Sequence, residues 1–219
     1  MMEAPEILYV DESILVCVKP AGFLSERGPG KNLPDALAEY GEVKTVHRLD
    51  KQVAGVMVLA RTQAAAASLI GQIERRETEK TYLAVVRGVP EAPSGEMRDL
   101  LFHDARTNKT FVVKRERKGV REARLSYEVL GSRKPDGQTC SLVRVKLETG
   151  RTHQIRVQFA SRGHSLLGDI RYGSKHPCGV SLWAYRLAFC HPKTGETMTF
   201  ERRPERVFPW SAFEEDFPL

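Results

Sequence analysis

Short apolar runs, each closed by a turn-forming cluster, recur along this chain and restrict it to a sheet-based fold. Ile7 to Val10 and Ile14 to Val18 are split by Asp11-Glu12-Ser13, which predicts a hairpin ended by Lys19-Pro20-Ala21-Gly22. Val56 to Ala60 reads as a buried central strand and Thr81 to Val86 as another. Leu125, Tyr127 and Val129 alternate with Arg124, Ser126 and Glu128, the period-2 pattern of a half-solvated strand, and Leu142 to Leu147 offers a further one. A last hairpin is expected from Leu187 to Phe189, through Pro192-Lys193-Thr194-Gly195, to Met198 to Phe200. Two segments are helical in pattern. Ala66, Leu69, Ile70 and Ile73 share one face of Gln63 to Arg76, and Arg151 to Arg162 ends at Gly163. The expected class is α+β, with a mixed, largely antiparallel central sheet and flanking helices. No repeat or linker divides the sequence, so one domain over residues 1–219 is expected.

Composition narrows the partners. With 41% hydrophobic residues, 219 residues bury a sizeable core, and 34 Lys and Arg against 28 Asp and Glu leave a net charge of +6. A basic excess suits a phosphate-bearing partner without demanding one. The four cysteines show no paired spacing, no charged-then-apolar leader opens Met1-Met2-Glu3-Ala4-Pro5, and no apolar run approaches membrane-spanning length. A cytoplasmic protein is the expectation, with a monomer as the default. No metal is expected. Of His176, Cys178, Cys190 and His191, the last two adjoin in a strand and should point to opposite faces. Gly28-Pro29-Gly30-Lys31 lacks phosphate-loop spacing and reads as a turn.

Chemistry concentrates in two motifs about a hundred residues apart, His47-Arg48-Leu49-Asp50 and Gly150-Arg151-Thr152-His153-Gln154-Ile155-Arg156. Asp50 on its own reads as a turn or capping aspartate, yet no Glu or Gln follows three residues on, and the next segment is a strand rather than a helix. A loop feeding a central strand is where catalytic groups often lie. Arg151 on its own is a surface arginine opening a helix, one turn from Ile155, where the helix N-terminus favours an anion. A carboxylate brought against that arginine would be held below the usual carboxylate range and stay ionised, which makes it a competent nucleophile.

These motifs, with Lys80-Thr81-Tyr82, Gly163-His164 and Gly168-Asp169-x-x-Tyr172-Gly173, resemble in order and spacing the motif series of RluA-type pseudouridine synthases. Flanking stretches agree: Asp11 through Lys19-Pro20-Ala21-Gly22, Tyr82-x-Ala84-x-Val86-x-Gly88, and Ala188-Phe189-Cys190-His191-Pro192. The resemblance implies the pseudouridine synthase fold and a uridine isomerase acting on structured RNA, ribosomal or transfer. The bond from ribose to uracil N1 is broken, the base rotates, and the ribose is rejoined through C5, without metal or organic cofactor. It implies that Asp50 attacks covalently, at ribose C1′ or at the base, that Tyr82 stacks on the target uracil, and that Arg151 pairs with the aspartate. Ile155 would line the pocket, Arg48 would fill or brace the space left by the extruded nucleotide, and His47 and Lys80 would belong to the RNA-facing set. Read without the resemblance, Tyr82 is a strand aromatic, Ile155 plain core and Arg48 a phosphate contact or surface ion pair.

The rest of the RNA face is expected in Arg106 to Arg124, above all Lys109, Lys114, Arg115 and Arg117, with Phe111 and Val112-Val113 interleaved as a strand. A charge run of this kind is otherwise a solvated face. The chain departs from the family pattern twice. Val53-Ala54 stands before Gly55 where Thr-Ser is usual, and Trp183 stands where many relatives have histidine. No appended RNA-binding module of the S4 type is expected, because the catalytic pattern already begins at Ile7. Two other functions compete: an RNA-binding protein that has lost catalysis, and a glycoside or nucleoside hydrolase, which would want a second carboxylate beside Asp50.

Overall fold

A computed structural model describes residues 4–218. The opening Met1-Met2-Glu3, part of the reading of the chain's start, lies outside the described residues. In chain order the elements are β1 (Glu6–Val10), β2 (Ile14–Lys19), α1 (Leu33–Ala36), β3 (Lys44–Thr45), β4 (Ala54–Ala60), α2 (Gln63–Glu74), β5 (Glu79–Arg87), β6 (Ser94–Asp104), β7 (Lys109–Val113), β8 (Val120–Arg133), β9 (Cys140–Leu147), α3 (Gln154–Ala160), β10 (Leu182–Cys190) and β11 (Thr197–Glu201). They form two compact units, residues 1–81 with 183–204 and residues 82–182 with 205–219.

In the first unit the strand order is β1-β2-β4-β10, with β11 on β10 and β3 on β4. The pair β4–β10 is parallel and the other pairings described in this unit are antiparallel, so the sheet is mixed and largely antiparallel as expected. All six residues of β2 are buried, and so are six of the seven in β4, because both faces of these strands are covered. Ile14, Val16, Val56 and Val58 pack on one face against Ala65, Ala66 and Leu69 of α2 and against Leu187 and Phe189 of β10. Thr62 caps α2 through its side chain. The buried stripe of that helix differs from the expected one. Ile70 is 41% exposed, and Gln72 takes the inward place, donating to the Cys190 carbonyl and accepting from the Cys190 amide. A polar side chain is tolerated there because it satisfies the end of β10.

The second unit has the order β5-β9-β8-β6-β7, and its β6–β7, β6–β8 and β8–β9 pairs are antiparallel. Its β8, fourteen residues long, extends well beyond the alternating stretch that predicted it. α3 packs on β6 and β7, with Val157 against Leu101, Ala123, Val112 and Tyr172. The helix expected over Arg151 to Arg162 is shorter at both ends. His153 adopts a left-handed conformation at φ 56°, which breaks the helical path before Gln154. No helix among the described residues is long and apolar enough to cross a membrane.

Candidate active site

Asp50 occupies the turn that leads into β4, where the Val53 amide donates to its carbonyl at 2.9 Å. Polar groups of the first unit hold that turn from both sides. Ser25, 4% exposed, donates its hydroxyl to the Leu49 carbonyl at 2.9 Å and accepts the Leu49 amide at 3.0 Å. Lys19 is fully buried and donates to the carbonyls of Pro20, Phe23 and Lys51. Burial lowers this lysine to about 8, against the favourable field of Asp50. The residues before and after Asp50 are thus fastened to the buried side chains of Ser25 and Lys19, which fixes the backbone that carries the carboxylate.

His47 accepts the Val58 amide at its Nε2, 3.2 Å away. Burial, with the Lys80 ammonium adding to it, drives the imidazole down to about 3, so it is neutral and serves β4. Burial also lowers Lys80. Arg48 is exposed and pairs with Glu26 at 2.9 Å, the surface ion pair open to it from sequence alone. Gly55 adopts a φ of +127°, and a Cβ there would lie 2.3 Å from the Ala184 carbonyl oxygen, so only glycine allows β4 to approach β10 this closely.

The second unit carries the other motif. Tyr82 is 8% exposed on β5, and Ile155 is 3% exposed on α3. Arg151 does not open the helix. It lies in the turn before it, its Nε donating to the Glu122 carbonyl on β8 at 3.0 Å. The Gln154 side chain organises this turn. Its Oε1 accepts the Arg151 amide at 3.0 Å and the Thr149 hydroxyl at 2.9 Å, while its Nε2 donates to the Arg124 carbonyl. A helix-terminus charge is therefore not what acts at Arg151; the guanidinium is presented from a turn braced on β8.

Motif residues beyond the expected site prove to be supports. Arg156 and Asp169, both buried, form a two-bond ion pair at 2.6 and 2.9 Å, and the guanidinium carbon lies 5.2 Å from the centre of the Tyr172 ring. The Tyr172 hydroxyl accepts the Thr110 amide and bonds His153 Nδ1, tying β7 to the Arg151 turn. Gly168, at φ +78°, would bring a Cβ within 2.0 Å of the Gly179 carbonyl oxygen. Nothing local in the sequence marked Ser25, because its bond crosses 24 residues. A lysine ending an otherwise apolar strand was the available sign for Lys19.

Lys109 lies over the rings of Phe111 and Tyr172, and Arg117 over Phe102 at 4.5 Å, while Lys114 and Arg115 are exposed beyond β7. Cys190 is exposed at the end of β10. His191 is buried, its ring 2.9 Å from Asp11, so the two side chains part as expected.

A fold of this kind, with this pair of motifs, defines a class. Residues 13–161 match the model of the RNA pseudouridylate synthase family, and the chain belongs to that family of isomerases. It is 38% identical to an uncharacterized RNA pseudouridine synthase of Aquifex aeolicus, over 97% of this chain and 74% of that protein. It is 34% identical to the ribosomal large subunit pseudouridine synthase D of a Neisseria meningitidis serogroup A strain, covering 90% of this chain and only 58% of that one. Human RNA pseudouridylate synthase domain containing 1 has the same fold, with a TM-score of 0.80 at 24% identity, over 98% of this chain and 88% of that structure.

Proposed function

We propose that this protein converts uridine to pseudouridine in structured RNA, and in large-subunit ribosomal RNA first, with Asp50 as the nucleophile. The observation that carries the reading is the Asp50 turn itself: buried Ser25 and Lys19 hold the backbone on both sides of the aspartate, so it is presented from a rigid turn feeding β4. The ribosomal substrate is supported by the chain's similarity to ribosomal large subunit pseudouridine synthases such as the Neisseria protein.

In this reading Asp50 attacks the target nucleotide, the N1 glycosidic bond breaks, the uracil turns, C5 bonds to C1′, the bond to the aspartate breaks, and the C5 proton is lost while N1 takes one up. Tyr82 stacks on the uracil and Arg151 keeps the aspartate ionised. Ile155 lines the pocket. Arg48, whose exposed ion pair with Glu26 contributes little to stability, exchanges it for the extruded nucleotide's surroundings. Lys109, Lys114, Arg115 and Arg117 take phosphates. His47 and Lys80 contribute from behind the loop rather than by direct charge on RNA, as the neutral imidazole bonded to β4 supports. Residues 1–219 work as one catalytic domain. The protein acts as a monomer in the cytoplasm.

The test is tritium release from an unmodified large-subunit ribosomal RNA transcript labelled at uracil C5. The parent protein should release tritium, and Asp50→Asn should lose at least about a thousandfold in rate. Free uracil as product would instead mean hydrolysis, and RNA binding without release would leave an RNA-binding protein.

A further inference from the structure

The register of β6, β7 and β8 sorts their side chains onto two faces. Leu101, Val112 and Ala123 point toward α3. On the opposite face Phe102 stands between Phe111 of β7 and Val120 of β8, because residues directly opposite one another in an antiparallel pair share a face. The neighbouring row on that face is Val113, Leu100 and Glu122.

Phe111 is 41% exposed, an unusual state for a phenylalanine in mid-strand. Its surroundings are cationic. The Lys109 ammonium lies 5.6 Å from its ring centre, and the Arg117 guanidinium covers the ring of Phe102. Beyond Glu122 the face continues with Arg98 opposite Arg124, both ion-paired to Glu122, so the unneutralised charge of this face lies with Lys109 and Arg117. The same strand, β8, supplies the Glu122 carbonyl that holds Arg151.

We propose that this face is a stacking platform for unpaired nucleotides of the RNA substrate, with a base on Phe111 and phosphates on the surrounding cations. The proposal rests on the RNA-substrate reading and goes beyond it by assigning the affinity to base faces as well as charge. Aromatic rings set among Lys and Arg on an open sheet face suit single strands, which expose both π-faces and phosphates. A duplex offers no free base faces here, because its bases are stacked on one another. A protein partner would want a wider apolar patch than one exposed ring with Lys109 beside it and Arg117 over the adjoining Phe102. Since the platform shares β8 with the anchor of Arg151, the bases it takes are those flanking the target uridine.

The test measures binding, by fluorescence anisotropy across a salt series, of a labelled twelve-nucleotide unpaired RNA and of the same sequence closed into a hairpin duplex. Phe111→Ala should weaken the unpaired strand about tenfold, within the range expected for loss of one base–aromatic stack. The slope of affinity against salt should not change, because no charge is removed. Phe111→Trp should retain affinity, with its emission quenched by the unpaired strand. The proposal is overturned if Phe111→Ala binds like the parent while Lys109→Ala with Arg117→Ala weakens binding and flattens the salt slope. RNA would then be held by charge alone, and the isomerase reading would stand. Equal weakening on the unpaired strand and the duplex would overturn it as well. A parent protein that neither binds RNA nor releases tritium would remove both readings together.

Discussion

Ala54 and Trp183 are register partners across the parallel β4–β10 pair. Both belong to the departures from the motif pattern noted in the sequence, so Ala54 of the Val53-Ala54 pair and Trp183 meet in one place. Trp183 is 6% exposed and donates its indole N–H to the Arg202 carbonyl at 2.5 Å, while its register partner Ala54 is half-buried and carries only a methyl group. Large beside small fills an interior of fixed volume. Restoring one partner alone should overfill or hollow this spot. Ala54→Ser and Trp183→His should each lower the unfolding free energy, by about 1 to 3 kcal/mol. The double variant should lose less than the sum, with a coupling of roughly 0.5 to 3 kcal/mol measured by urea denaturation. Strict additivity would show the two positions to be independent.

Among elements, the Asp50 turn is the one whose support was least visible in the sequence. The motif His47-Arg48-Leu49-Asp50 was legible as chemistry, but its histidine is bound to the Val58 amide and held neutral. This has a consequence for acid stability. The folded imidazole titrates at about 3 and an ordinary histidine at about 6.5, so between these values the unfolded chain binds a proton that the folded chain does not. The stabilisation is therefore complete above pH 6.5 and is lost as the pH falls, at about 1.4 kcal/mol per pH unit. Between pH 7 and 4.5 the parent should lose about 2 to 3 kcal/mol more than His47→Gln, whose amide oxygen can still accept from Val58. Parallel losses in the two proteins, read from denaturant midpoints, would refute this role. The Arg151 turn teaches a related lesson. Helical spacing from Arg151 onward was genuine only from Gln154, because His153 turns left-handed and the Gln154 side chain captures the amide of Arg151.

At the scale of the whole molecule, the first unit is discontinuous in sequence. Its core is closed by Leu187 and Phe189 of β10, 3% and 1% exposed, which return more than a hundred residues after α2 has formed the other wall. Removing such side chains costs about 2 to 5 kcal/mol each, against a total domain stability of about 5 to 15 kcal/mol. In a chain truncated after residue 182, the amides of β2 and β4 should therefore lose their slow hydrogen exchange, even though all of β1 to β4 and α2 is present. Amides still protected in β2 and β4 would place the core of the first unit elsewhere.

The sequence by itself determined the class, most of the strands though not β3 or β6, and the motif residues proposed to carry the chemistry. Alternation and turn chemistry act over neighbouring residues, and the motif series is a string of local patterns. Tertiary structure decided what those residues rest on. Ser25 reaches Leu49, Lys19 gathers three carbonyls, Asp169 neutralises Arg156, and β6 sets Phe102 beside Phe111. Each is a contact between residues distant in the chain or a register between strands, and burial alone gives it strength: a carbonyl or charge left without its partner away from water costs more than the bond returns in solvent.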